Sequence, residues 1–149
     1  MKILVGITGG IAAYRAAELA RTLVKRGHLV RCCLTDAGAR FITPLTLASL
    51  TGQPCFGANP EYHEWRPNPI IEHVDLARWA DVLVVAPATA DIMGKTANGA
   101  STLPARSAAA KCERANLILV TASFMSNRPA AAAAAWRALR PALASWNIR

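Results

Sequence analysis

No apolar run in the 149 residues approaches the ~18 needed to cross a bilayer, so no membrane span is expected. Met1 leads straight into a strand-like segment, not into a charged region followed by an apolar one, and no secretory signal is expected. The four cysteines, Cys32, Cys33, Cys55 and Cys112, make no C-x-x-C or C-x-x-H spacing. They read as reduced, partly buried thiols of a cytoplasmic protein, and no metal site is expected. Carboxylates are scarce: 9 Asp and Glu stand against 17 Lys and Arg, for a net charge of +8. A surplus of that size can serve nucleic acid. Here the basic residues are scattered, with no basic run and no interleaved aromatics. Scattered charge suits a small anionic ligand or a peptide carboxylate, and neither nucleic acid nor membrane is expected as a partner. There is no internal repeat and no interdomain linker. With 53% hydrophobic residues, positions 1–149 read as one domain able to build a real core.

What is present is an alternation of strands and helices. KILVGITGGIAAYRAAELARTLVKRG opens with a strand from Ile3 to Ile7. Thr8, Gly9 and Gly10 turn the chain into a helix. Ala16, Leu19, Ala20 and Leu23 fall at i, i+3, i+4 and i+7, one face toward a sheet. Gly27 ends that helix at the C′ position. Amides at the Gly9–Ile11 helix start make an anion site, although the same turn serves equally as a plain connector. The pattern G-x-G-x-x-G is absent, which favours a mononucleotide phosphate over a pyrophosphate. Leu29 to Leu34 is a second strand, followed by Thr35 and Asp36. Thr35 presents a hydroxyl at the carboxyl edge and also reads as the N-cap of DAGARF. FITPLTLASLTG reads as a helix opened near Thr43–Pro44 and closed by Gly52. Two such units predict a doubly wound parallel α/β sheet.

Residues 53–70, QPCFGANPEYHEWRPNPI, read as a long irregular loop. Its Tyr62 and Trp65 either cover a ligand or are buried in an ordered surface loop; His63 receives no role. His28 reads as a solvated cap. Next comes HVDLARWADVLVVAPATADIMGKTANG. His73 precedes the helical turn LARWAD. Val82 to Val85 is a β-branched run fit for a buried parallel strand. It stops at Pro87, and the corner Ala88, Thr89, Ala90, Asp91 leads into a helix that runs to Gly99. Ligands of open α/β sheets bind beyond the carboxyl ends of strands, so this corner should line a pocket. After Gly99 the pattern weakens. STLPARSAAAKCERA reads as a helix interrupted by Pro104. Asn116 to Val120 reads as a fourth strand, TASFMSNRP as a loop, and Ala130 to Ala135 as the start of a last helix.

The segments GITGGIAAYRAAELARTL, LTDAGARFITPLTLASLTG and HVDLARWADVLVVAPATADIMGKTANG together resemble the homo-oligomeric flavin-containing cysteine decarboxylases. That family includes phosphopantothenoylcysteine decarboxylases and the lantibiotic-type peptidyl-cysteine decarboxylases. The likeness covers residues 2 to about 99 of the sequence. It implies a flavodoxin-like (Rossmann-like) doubly wound sheet, FMN as cofactor, and assembly as a homotrimer or as trimers packed into a homododecamer. It implies that His73 is the active-site histidine. It places Gly9, Gly10 and Ile11 in a first FMN loop and Thr35, Asp36 and Ala37 in a second. Ala88, Thr89, Ala90, Asp91 and Ile92 form the third, with Ala122 near the last FMN contact. Ser123, Met125 and Asn127 fall where the family clamps its substrate. The implied chemistry is oxidation of a cysteine CH2–S⁻ unit to a thioaldehyde, with flavin as the acceptor. CO2 then leaves and an enethiolate remains. A histidine titrating near neutrality suits removal of the thiol proton, since a free thiol has a pKa of about 8.5.

Three departures from the family pattern matter. Asp91 stands where the family carries Asn, and an ionised carboxylate beside a reduced flavin is unfavourable unless protonated or turned away. The clamp is not intact in TASFMSNRPA, where Ser123 or Asn127 could take the clamp Asn's place. No cysteine follows Cys112 to act as the acid that the phosphopantothenoylcysteine enzymes use in the reductive step. This last point favours an enzyme that stops at an aminoenethiol on a peptide C-terminus, in ribosomal peptide natural-product biosynthesis. The alternatives are phosphopantothenoylcysteine decarboxylation in coenzyme A biosynthesis and a flavin-binding regulatory subunit.

Overall fold

A computed structural model of the chain describes residues 1–57, 72–97 and 116–119. Strands β1 (Lys2–Ile7), β2 (Leu29–Leu34), β3 (Cys55–Gly57), β4 (Val82–Val85) and β5 (Asn116–Leu119) form one sheet in the order β3-β2-β1-β4-β5. Every adjacent pair is parallel. This is the Rossmann-like doubly wound arrangement that the alternation of strands and helices predicts. β4 is VLVV and buried at all four positions. An unbroken apolar run of this kind is what a strand covered on both faces needs.

Two helical layers provide the cover. Helices α1 (Ala13–Lys25) and α3 (Pro44–Thr51) lie on one face. There Ala13, Ala16, Leu19, Ala20, Leu23 and Leu47 pack with Ile3, Val5, Ile7, Val30, Val82 and Val84. Helices α4 (Glu72–Trp79) and α5 (Ala90–Ala97) lie on the other. Leu76 and Ile92 pack there with Leu4, Cys33, Phe56, Leu83 and Val85. β1 supplies both layers by its period of two: Ile3, Val5 and Ile7 to one, Leu4 to the other. Truncating one fully buried leucine of this core costs about 2–5 kcal/mol.

Helix ends follow local chemistry. Thr43 caps α3 by accepting from the Thr46 amide at 3.2 Å, Pro44 fills the first turn, and Gly52 closes it at φ 65°. Gly27 follows α1 at φ 79°. Thr35 caps the single turn α2 (Asp36–Ala39), its Oγ1 accepting from the Gly38 amide at 3.0 Å.

One element differs from expectation. The sequence predicts four strands and an irregular loop from residue 53, yet Cys55–Gly57 forms β3 at the sheet edge. Three residues between Pro54 and Ala58 are too few to show a period. They pair through register, Cys55 with Cys32 and Phe56 with Cys33. The remaining expectations for Tyr62, His63 and Trp65, for Gly99, for the helix over 101–115 and for the alanine run fall outside the described residues. Among the described residues, no helix is long and apolar enough to cross a membrane.

The paired positions Cys32 and Cys55 have a chemical consequence. Burial pushes the Cys55 thiol up to about 12. Burial first, then the neighbouring Cys55 and Cys33 thiols, hold Cys32 well above the ordinary thiol value. Neither is therefore a nucleophile near neutrality. Both are expected to resist a thiol reagent at pH 8 until the protein unfolds, as a timed colorimetric thiol titration would show. The sign for stability follows from the raised folded value. The contribution is complete below the ordinary thiol value of 9.0 and is lost as pH climbs toward about 12, because the unfolded chain ionises first. Denaturation midpoints that stay flat over that range would contradict it.

Candidate cofactor site

The strand order reverses between β1 and β4, and a crevice forms where the connections leave in opposite directions. Three chain segments meet at that carboxyl edge. The first is Thr8–Gly9–Gly10–Ile11, between β1 and α1. The second is Thr35–Asp36–Ala37, between β2 and α2. The third is Ala86 to Asp91, between β4 and α5, with a cis peptide at Ala86–Pro87.

Each segment is tied to its neighbour. The Thr35 amide donates to the Ile7 carbonyl at 3.0 Å, which extends the β1–β2 ladder by one bond. The Thr35 hydroxyl accepts from Gly38 and reaches the same Ile7 oxygen at 3.4 Å. Gly9 lies directly on the second segment. A Cβ there would stand 2.5 Å from the Ala37 Cβ and 3.0 Å from its carbonyl carbon. Gly38 is equally confined, with the Ile7 oxygen 2.7 Å from where its Cβ would be. On the other side, the Ala86 amide donates to the Gly6 carbonyl at 2.8 Å. The Thr8 hydroxyl then donates to the Pro87 carbonyl. Thr8 is the one buried polar side chain among the described residues, 3% exposed. The sequence reading treats it as a turn residue and misses this bond; the only local signal is a hydroxyl residue placed between a buried strand and Gly-Gly.

Gly10 is different. A Cβ on it would meet Pro87 Cγ at 3.6 Å and Thr89 Cγ2 at 3.8 Å, ordinary contact distances. Its φ is not in the left-handed region. Neither packing nor backbone geometry requires glycine there. The space beside it, between the first and third segments, is room that a ligand approaching the backbone would use. Among the described residues, the amides of Gly9, Gly10 and Ile11 have no protein acceptor, while Ala13 already donates to Gly10 at 2.9 Å. Donors of this kind at the start of a thirteen-residue helix suit a phosphate.

The third segment divides its labour. Ala88 is buried, and Ile92 turns its side chain into the core. Thr89 caps α5 by accepting from the Ile92 amide at 3.4 Å, and its own proton has no acceptor among the described residues. Ala90 and Asp91 are exposed. Asp91 pairs with Lys95 at 2.8 Å across one helical turn, its side chain 67% exposed. The carboxylate is thus turned to solvent and compensated, one of the two conditions under which an Asp is tolerated beside a flavin. In the second segment, Asp36 and Ala37 are exposed on the first turn of α2.

His73 corrects an expectation. It lies inside α4, in its first turn, rather than ahead of the helix. α4 ends where β4 begins, at the amino edge, since Val82 pairs with Ile3 and the Asp81 amide donates to Lys2. Its first turn is therefore the end nearer the carboxyl edge. Ala122, Ser123, Met125 and Asn127 fall outside the described residues.

The two glycines should separate in a stability measurement. Gly9→Ala forces backbone apart and is expected to destabilise the ligand-free protein by about 1–3 kcal/mol, the range for overpacking. Gly10→Ala meets no obstacle and removes unfolded-state freedom, so it should be neutral or stabilise by about 0.4–1 kcal/mol. Denaturant titration of both variants checks the pair. Equal losses would show that Gly10 is structural after all.

Known proteins share this arrangement. The coenzyme A biosynthesis bifunctional protein CoaBC of Vibrio cholerae is 45% identical over 98 residues, 66% of this chain and 24% of that protein. The chain spans about a quarter of the length of the curated relatives it matches. Of solved structures, HAL3 from Cryptococcus neoformans superposes with a TM-score of 0.61 at 25% identity, covering 80% of this chain and 68% of that one. TvaF, an FMN-dependent cysteine decarboxylase from thioviridamide biosynthesis, gives 0.69 at 24% identity, covering 98% and 86%, a likeness of fold. The flavoprotein family model matches residues 1–139, and with the crevice at the β1–β4 switch this places the chain in the flavoprotein family.

Proposed function

We propose that the chain binds FMN at the β1–β4 switch point and decarboxylates a cysteine-bearing substrate. The observation that carries this reading is Gly10. It is a glycine that the fold does not need, set beside amides with no acceptor among the described residues, where a Cβ would meet Pro87 and Thr89 only at ordinary contact distance. Support comes from membership of the flavoprotein family and from the fold shared with a cysteine decarboxylase.

The residues fit the cofactor. Amides of Gly9, Gly10 and Ile11 would hold its phosphate, with the Thr89 hydroxyl as a further donor. Thr35, Asp36 and Ala37 would border it from β2, and Ala88, Ala90, Asp91 and Ala122 from the other side. When bound, FMN supplies a two-electron acceptor for the substrate. His73 takes the thiol proton, so that sulfur carries the negative charge when electrons leave the adjacent carbon. Ser123, Met125 and Asn127 would hold the substrate carboxylate until it departs as CO2. A C-terminal peptidyl cysteine is the substrate that the sequence analysis favours. The 45% identity to CoaBC favours a second reading, phosphopantothenoylcysteine.

Assembly as a homotrimer, or as trimers packed into a homododecamer, belongs to the same proposal. Ile11 and Leu45, 80% and 75% exposed, stand with Tyr14 and Phe41 as large apolar side chains on the surface at the entries to α1 and α3. A second copy would cover them. Light scattering at micromolar concentration should give a multiple of three; an active monomer would refute the assembly.

Activity is tested by product mass. Incubation with a Cys-terminal peptide and with phosphopantothenoylcysteine should show loss of CO2 plus two hydrogens for an oxidative enzyme. Loss of CO2 alone marks a net non-oxidative one, and no change marks a flavin-binding subunit. His73→Asn should keep FMN bound and slow turnover by about 10²–10⁴-fold, the usual worth of a general base. Raising pH should partly restore it, because the substrate thiol then ionises unaided. Gly10→Ala should weaken FMN by roughly tenfold, about 1.4 kcal/mol, despite its neutral effect on folding. Unimpaired His73→Asn at neutral pH would move the base elsewhere.

A further inference from the structure

The β1–β4 ladder ends just past Gly6. Its last bond runs from the Ala86 amide to the Gly6 carbonyl at 2.8 Å. Among the described residues no further backbone bond joins these two segments beyond it. On the opposite side of β1 the ladder does continue, through the Thr35 amide to Ile7. Past Gly6, then, the first and second segments are joined by backbone, while the first and third are not. What joins the first and third is the Thr8 hydroxyl on the Pro87 carbonyl. The tie is buried and spans two segments 79 residues apart in sequence.

The gap that this bond governs lies close by. Gly10, two residues beyond Thr8, faces Pro87 itself and Thr89, two residues beyond Pro87. Moving the Pro87 carbonyl away from Thr8 therefore moves both the far wall of the gap and the Thr89 hydroxyl. We propose that Thr8 is a positioning residue, a side-chain latch that sets the width of the cofactor gap between the first and third segments without touching the cofactor. The proposal rests on the FMN reading above. Its chemistry predicts which substitutions matter. Serine keeps the donor. Valine keeps the volume but leaves the buried Pro87 carbonyl without a partner, which favours separation of the segments so that water can reach it. Cysteine keeps a weak donor in a similar volume.

Two kinds of measurement decide the matter on the full chain, one on the bound flavin and one on the ligand-free protein. FMN affinity is read by quenching of flavin fluorescence, and the geometry of the bound flavin by visible circular dichroism. Thr8→Ser should match the wild type in both. Thr8→Val should bind FMN about tenfold more weakly, the scale of one net hydrogen bond, with an altered dichroism spectrum. Leu23→Ala, on the core face of α1, is the control: it should lower stability and leave FMN affinity unchanged. If Thr8→Val does not fold, Thr8→Cys takes its place, with a smaller loss in the same direction. Amide hydrogen exchange at Ala88 and Thr89 in the ligand-free protein is the second measurement. It should quicken in Thr8→Val and not in Thr8→Ser. Wild-type affinity in Thr8→Val, failure of serine to restore it, or unchanged exchange at Ala88 and Thr89 each overturn the latch while FMN binding stands. A wild-type chain that takes up no FMN overturns the cofactor reading, and the affinity half of the latch with it.

Discussion

Everything at the functional edge depends on β1 and β4 lying side by side. They are adjacent in the sheet, from Ile3 with Val82 to Gly6 with Val85, although β2, β3 and several helices intervene in the chain. That pairing makes β1 the central strand, covered on both faces, and burial of Ile3, Leu4, Val5 and Ile7 follows. It also sends the connection after β1 to one side of the sheet and the connection after β4 to the other. The crevice is the space that the two connections leave. No residue was needed to carve it; it results from the direction in which the sheet is wound.

How much of this was legible in the sequence depends on distance along the chain. The face of α1 and its stop at Gly27, and the Thr43 and Gly52 ends of α3, were readable because their causes lie within a few residues. β4 was readable because four consecutive β-branched or leucine residues have few other uses. β3 was not, because three residues carry no period and its place is fixed by β2 through register. The helix boundary at His73 slipped for a related reason: nothing in the unit from His73 to Trp79 marks a cap, so the first turn has no local signature. Thr8 was seen only as part of a turn. Its partner lies 79 residues away, and no local pattern can report such a contact.

The electrostatics of the edge are economical. The donors toward the gap are neutral: three backbone amides and one hydroxyl. The two carboxylates nearby are both held in the first turn of a helix, Asp36 in α2 and Asp91 in α5, where the helix dipole favours negative charge. Asp91 is further balanced by Lys95. An exposed i, i+4 pair contributes little to stability. Its effect here is on field rather than on folding, since it keeps a full negative charge from acting alone beside a ligand that is itself anionic. The basic surplus of the chain thus need not sit in the crevice for a phosphate to bind there.

Accounting for three hydroxyl protons shows how the edge is organised. A threonine hydroxyl has one proton to give and two lone pairs to receive with. Thr8 gives its proton to Pro87, and Thr35 accepts from Gly38 while its proton faces Ile7. Both are consumed in tying segments to β1. Thr89 accepts from Ile92, and among the described residues its proton has no acceptor. The residue with a donor left over is on the segment farthest along the chain, and the two that are spent hold the walls. The same division appears in the glycines, where Gly9 and Gly38 are confined by protein atoms and Gly10 is not. A site whose fixed parts are satisfied within the protein, and whose free donors lie on the segments that meet at one edge, is organised before its ligand arrives. Binding then orders little that was not already ordered.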